Sequence, residues 1–143
     1  MVEASNSVTI NRSPQEVFAF ISDGTTNPLW RAGVLEIEHR SGTGVGAIYR
    51  QRVRGPGGRP IAADYEITRY EPPRLLAFRT IAGPARPEGE FSIDTAPGGA
   101  SQVTFRLWWK PIGMKRFMTP MVRKTMRAEV AALQEMKEAI ERG

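Results

Sequence analysis

Apolar and polar residues alternate in short runs through most of the chain and then switch to a three-four spacing near its end. Ser5 to Asn11 alternates with Val8 and Ile10 on one face, which predicts a strand. Ser13-Pro14-Gln15-Glu16 then carries the marks of a helix start: a capping serine, a proline at the first helical position and a glutamate that completes a capping box. Val17, Phe18 and Ile21 form the buried face of that short helix, and Asp23-Gly24 ends it. Asn27-Pro28-Leu29-Trp30 predicts a second short helix that lays Leu29 and Trp30 against the core.

Strands follow at Val34 to Arg40, with Leu35 and Ile37 on one face, and at Gly44 to Arg54. After a Gly55-Pro56-Gly57-Gly58 turn come Pro60 to Tyr70, Leu75 to Ile81, Glu88 to Thr95 and Gln102 to Lys110. Val103, Phe105, Leu107 and Trp109 share a face of the last of these. Consecutive strands with short glycine- and proline-marked turns predict an antiparallel meander. From Thr119-Pro120 onward, Val122, Met126, Glu129, Leu133, Met136 and Ile140 follow helical spacing. That helix has about 22 residues and is roughly 33 Å long, enough to cross a whole sheet. The pattern is α+β, with a long amphipathic helix covering the apolar face of the strands.

Length and composition narrow the class. A chain of 143 residues fits a single domain, 1–143. Hydrophobic residues at 41% and charged residues at 24% place it among globular chains rather than disordered ones. No apolar run approaches the roughly 20 residues of a transmembrane helix. The start shows no basic segment followed by an apolar stretch, so the expected location is cytoplasmic. The absence of cysteine excludes disulfide and thiolate chemistry. The net charge of +5 favours acidic partners, but the 15 acidic residues are interspersed with the 20 basic ones.

The element order resembles the START-like superfamily (SRPBCC), in its bacterial polyketide cyclase/dehydrase-like branch. The residues that carry the resemblance are Val8 to Phe18 followed by Ser22-Asp23, then Pro28-Leu29-Trp30, Gly44-Val45-Gly46 entering a strand, Tyr70 to Phe78, and Leu133 to Glu141. It spans nearly the whole chain. It implies a helix-grip fold: a curved antiparallel sheet of about seven strands around a long C-terminal helix, with two short helices after the first strand. It also implies an internal cavity for a small hydrophobic or amphipathic ligand, such as a lipid, polyketide or aromatic compound. The superfamily spans carriers, receptors, cyclases and dehydratases, so the resemblance speaks to fold more than to activity.

Three apparent motifs carry no chemistry. Gly42-Thr43-Gly44-Val45-Gly46-Ala47 imitates a dinucleotide fingerprint but precedes a strand instead of a helix, which makes it a hairpin turn. His39 is the single histidine, so no His–His metal pair can form, and no metal or cofactor is expected. Asn11-Arg12-Ser13 matches a glycosylation sequon at what reads as the turn before a helix.

The candidate ligand wall consists of Trp30, Tyr49, Gln51, Tyr65, Phe78, Phe91, Phe105, Leu107 and Trp109, with Met118, Met121, Val122 and Met126 covering it from the helix. Taken one by one, such residues also fill ordinary cores. Glu129 interrupts the apolar stripe and has two readings: a polar or acid–base group facing the cavity, or a partner of a nearby arginine at the surface. Strict alternation places Arg79 and Glu90 on the solvent face. Arg50, Arg52 and Arg54, and Lys115, Arg116, Arg123, Lys124 and Arg127, form basic stripes without the interleaved aromatics of RNA-binding surfaces, so no nucleic-acid partner is expected.

Three functions fit: a carrier of a small hydrophobic ligand, gated by Met114 to Met121 and the Gly55 to Gly58 hairpin; a cyclase or dehydratase using Tyr49, Tyr65 and Glu129; or an interaction domain with a filled core. Sheet edges and helix faces also allow a homodimer.

Overall fold

A computed structural model describes residues 1–143. Its strands are β1 Val2–Ile10, β2 Val34–Ser41, β3 Ile48–Arg54, β4 Pro60–Ala62, β5 Tyr65–Glu71, β6 Leu75–Thr80, β7 Glu88–Ala96 and β8 Ala100–Trp109. They form one antiparallel sheet in the order β1-β8-β7-β6-β5-β3-β2, with β4 pairing β3 beside that path. The first strand therefore pairs with the last, from Val2 opposite Trp109 to Ile10 opposite Ser101. Helix α1 (Pro14–Ser22) and a 3-10 helix (Gly24–Leu29) connect β1 to β2, and α2 (Thr119–Ala131) and α3 (Leu133–Arg142) end the chain. An open antiparallel sheet with a long C-terminal helix packed on one face is the helix-grip fold.

Local sequence explains these elements. The Ser13 hydroxyl accepts the Glu16 N–H at 3.2 Å and donates to the Glu16 carboxylate at 3.1 Å, capping α1 ahead of Pro14. In β8, Val103, Phe105, Leu107 and Trp109 are all buried, as a period of two requires. Facing them, Val122, Met126, Val130, Leu133, Met136 and Ile140 bury the inner stripe of α2 and α3. The false fingerprint is the β2–β3 turn, where Gly42, Gly44 and Gly46 all take positive φ.

The structure departs from the sequence pattern in several places. Strand β1 begins at Val2 rather than Ser5, because β8 offers ladder partners as far as Trp109. The expected strand over residues 60–70 breaks at Ala63–Asp64. There the Asp64 carboxylate accepts the Gln51 N–H at 3.2 Å in place of a ladder carbonyl, and the Asp64 carbonyl turns to Ile81 N–H at 2.7 Å. The terminal helix is interrupted at Ala132, whose N–H is shared between the Ala128 and Glu129 carbonyls. Next to it, Asn6 Nδ2 of β1 takes the Val130 carbonyl at 3.0 Å, an insertion of the kind that bends helices.

A further departure concerns two leucines. Leu29, expected against the core beside Trp30, is 63% exposed. Three residues per turn put Gly24, Asn27 and Trp30 on the inner side, leaving Leu29 outside. Leu35 is also exposed, since the irregularity between Val34 and Glu36 turns Val34 inward instead.

Candidate functional site

The inner face of the sheet carries an aromatic run. Phe91 and Phe105 sit opposite one another on β7 and β8 and stack with centroids 4.2 Å apart. Trp30 meets both edge-on, at 6.1 and 6.0 Å. Phe78 continues the run to Tyr65 at 5.6 Å, Tyr65 stacks on Tyr49 at 5.1 Å, and Tyr49 stacks on His39 at 5.0 Å. Gly89 stands opposite Phe78, and a Cβ on it would lie 2.6 Å from Phe78 Cζ and 2.7 Å from Leu107 Cδ2. The missing side chain lets the phenylalanine ring lie across β7.

A polar chain runs beside the aromatics. Asn27 Nδ2 donates to Gln51 Oε1 at 3.0 Å and to the Tyr65 hydroxyl at 3.1 Å. Gln51 Oε1 also accepts Arg31 Nη1 at 3.3 Å, while its Nε2 donates to the Ala63 carbonyl at 3.2 Å. Arg31 Nε in turn donates to Glu129 Oε2 at 2.6 Å. Donors and acceptors thus connect Tyr65 in the sheet to the middle of α2 through Asn27, Gln51, Arg31 and Glu129. Asn27 and Gln51 are buried, which only partnered amides tolerate at low cost. Burial pushes the Tyr65 hydroxyl pKa up, with the Asn27 hydrogen bond and the Arg31 charge opposing it. At neutral pH Tyr65 keeps its proton, and its oxygen accepts the Asn27 amide N–H.

One buried donor stands outside this network. Trp30 is 4% exposed, and its Nε1 has no acceptor in the protein. It lies where the two systems meet: its ring touches Phe91 and Phe105, and the Arg31 guanidinium lies 5.8 Å from the ring centroid.

The structure brings Trp30, Tyr49, Gln51, Tyr65, Phe78, Phe91 and Phe105 into this one assembly. Leu107 and Trp109 are buried farther along β8, Val122 and Met126 are buried on α2, and Met118 is half-buried at its start. Met121 does not cover the interior. It is one residue before the inward Val122, which rotates it about 100° around the helix, and it is exposed. Glu129 takes a position between its two readings: it pairs with an arginine, but the side chains of Arg31 and Glu129 are only 17% and 26% exposed. Arg79 pairs with Glu66 and Glu90 with Arg106 on the outer face, as alternation requires.

Asn27 and Arg31 join the site without a place in the sequence-based set. The 3-10 spacing of Gly24, Asn27 and Trp30 signals the first, whereas Arg31 enters only through tertiary pairing with Glu129.

A recess of about 150 Å³ reaches the inner face at Tyr49, bounded by Ser22, His39, Ala47, Ile67 and Tyr70. A wider one, about 560 Å³, is lined by Arg40, Ser41, Ile48, Arg50 and Asp64. It has no share in the aromatic run.

No curated protein sequence matches the chain. Among solved structures, TTHA0849 from Thermus thermophilus superposes with a TM-score of 0.78 at 18% identity, covering 96% of each chain. The Zhui aromatase/cyclase from Streptomyces sp. R1128 gives 0.75 at 17%, covering 98% of this chain and 93% of the other. A START superfamily protein from Mycobacterium smegmatis gives 0.69 at 19%, covering 97% and 94%. At these identities the likeness is one of fold. A family model described as polyketide cyclase / dehydrase and lipid transport matches residues 1–141, and on that match the chain belongs to this family.

Proposed function

We propose that the protein binds a small amphipathic molecule, apolar over most of its surface with a hydrogen-bond acceptor at one end, between the inner face of the sheet and α2. The observation that carries this reading is Trp30 Nε1, a buried donor without a protein acceptor, set between stacked aromatics and a polar chain. An unmatched buried N–H costs about 1–3 kcal/mol, which a ligand carbonyl or ether oxygen would recover. Phe78, Phe91 and Phe105 supply apolar contact, while Tyr65 supplies a second, protonated donor. The recess at Tyr49 is smaller than the roughly 300–1,000 Å³ of small-molecule sites. Binding therefore involves movement of α2, whose one ion pair to the rest of the protein is Arg31–Glu129.

The test is a thermal-shift and tryptophan-fluorescence screen of fatty acids, aromatic ketones and polyketide-like phenols. A raised melting temperature with a Trp30-dependent fluorescence change supports the reading. No stabilisation by any class, or an unchanged response in Trp30→Phe, sinks it.

A second reading, cyclase or dehydratase chemistry, draws on Tyr65, the neutral donor such a reaction needs to stabilise an enolate. The fold neighbour described as an aromatase/cyclase suggests the substrate class. The carboxylate within the polar chain, Glu129, is engaged by Arg31 and must be freed before it can serve as a base. Turnover of a polyketide-like substrate that is lost in Tyr65→Phe while binding persists would favour this reading.

A further inference from the structure

The start of the C-terminal helix presents large apolar side chains to solvent. Ile112, Met114 and Phe117 are 75%, 81% and 84% exposed. Met114 and Phe117 stand three residues apart in a 3-10 turn, Gly113–Met118, so they project on one side of it. Burying such side chains in the core is the usual outcome, and an exposed group of this kind marks a contact surface.

The charge beside it along the chain is of one sign. Between Asp94 and Glu129 the chain has no acidic residue. Lys110, Lys115, Arg116, Arg123, Lys124 and Arg127 are all exposed. None of them takes part in an ion pair, whereas Arg31, Arg40, Arg50, Arg52, Arg69, Arg79, Arg106 and Lys137 all do. An apolar tip flanked along the chain by unpaired cations matches a surface with an acyl interior beneath anionic headgroups.

We infer that the segment from Lys110 to Arg127 docks the protein on an anionic lipid bilayer, with Ile112, Met114 and Phe117 inserted among the acyl chains and the six cations at the headgroups. The inserted turn leads directly into α2, the element whose movement the proposed ligand site requires, although the docking itself needs no ligand. No helix is long and apolar enough to cross a membrane.

The experiment is co-sedimentation of the full chain with vesicles of phosphatidylcholine alone and of phosphatidylcholine mixed with phosphatidylserine. Phe117→Trp reports insertion through a blue shift in fluorescence. The wild type should partition about ten-fold more onto the anionic vesicles and be released by salt. The paired changes Met114→Ser with Phe117→Ser, and Lys115→Glu with Arg116→Glu, should each lower partition about ten-fold with melting temperature unchanged, because all four side chains are exposed. Equal partition onto both vesicle types overturns the inference. So does loss with the charge reversal but not with the serine pair, since that is charge attraction without insertion. Two other partners are checked alongside. Charge-dependent binding to a single-stranded RNA that matches the vesicles and ignores the serine pair assigns the face to nucleic acid. A dimer that the serine pair converts to monomer assigns it to a second copy of the chain. Failure of the ligand screen leaves all these readouts intact.

Discussion

Arg31 Nε lies 2.6 Å from Glu129 Oε2, joining the segment before β2 to the middle of α2. The pair is largely withdrawn from solvent, and Arg31 also reaches Gln51 of β3. Removing one partner leaves the other half-buried and unmatched. Glu129→Gln should therefore lower stability by about 1–3 kcal/mol in urea unfolding, below the cost of a fully buried pair. In a double-mutant cycle with Arg31→Met, the double variant should lose less than the sum of the two single changes. Additive losses would mean that the contact contributes nothing.

Trp30 should tolerate a change that a packed tryptophan does not. Trp30→Phe keeps most of the edge contacts to Phe91 and Phe105 and removes the unmatched N–H. The cavity cost and the relief of the orphan donor offset each other, so the net change should stay under about 1 kcal/mol. Phe105→Ala, by contrast, should cost about 3–5 kcal/mol. Chemical denaturation of both variants compares them directly.

Gly24 is the point where the 3-10 helix approaches the tyrosine pair. A Cβ there would collide with the Tyr65 hydroxyl and lie 2.7 Å from Tyr49 Cε1. Gly24→Ala should cost about 1–3 kcal/mol by displacing both rings and weakening the Asn27–Tyr65 hydrogen bond. A melting temperature equal to wild type would show that the rings yield freely.

Alkaline stability should depend on Tyr65. Burial raises its pKa above that of a free tyrosine, so the folded chain holds a proton that the unfolded chain releases first. Its contribution is complete below about pH 10 and declines as pH rises beyond the unfolded value toward the higher folded one. Tyr65 should titrate late by tyrosinate absorbance, and that component should disappear in Tyr65→Phe.

The acid limb should involve Glu141. The Lys137 ammonium, 2.7 Å away, and then the Asn11 N–H at 2.8 Å hold its carboxyl below the ordinary glutamate range. A depressed pKa gives stability that is present above the unfolded value and lost as pH falls through the folded one. Glu141→Gln should flatten the fall in stability at acid pH and loosen the attachment of α3 to β1. Hydrogen exchange at Asn11 measures the second effect.

How much of this was legible in the sequence depended on whether the governing period was local. Alternation in β8 placed Val103, Phe105, Leu107 and Trp109 inward, and the Ser13–Glu16 cap located α1, because both follow from neighbouring residues along the chain. The aromatic members of the site were visible for the same reason. Leu29 turns outward where three residues per turn replace the expected helical spacing, and Asn27 turns inward with the same change. The break at Ala63–Asp64 and the joint at Ala132 depend on groups from other elements, Gln51 with Ile81 and Asn6 respectively.

The sequence by itself determined the α+β order, the inward face of β8, all of the terminal helix's inner stripe except Val130, and most of the aromatics that meet on the sheet. These follow from side-chain periodicity and from capping and turn chemistry within a few residues. Only the tertiary structure decided that Glu129 meets Arg31, that Asn27 links Gln51 to Tyr65, and that Trp30 Nε1 is left without an acceptor. Each depends on groups brought together from distant parts of the chain, and no local pattern encodes which donor will face which acceptor once the helix closes on the sheet.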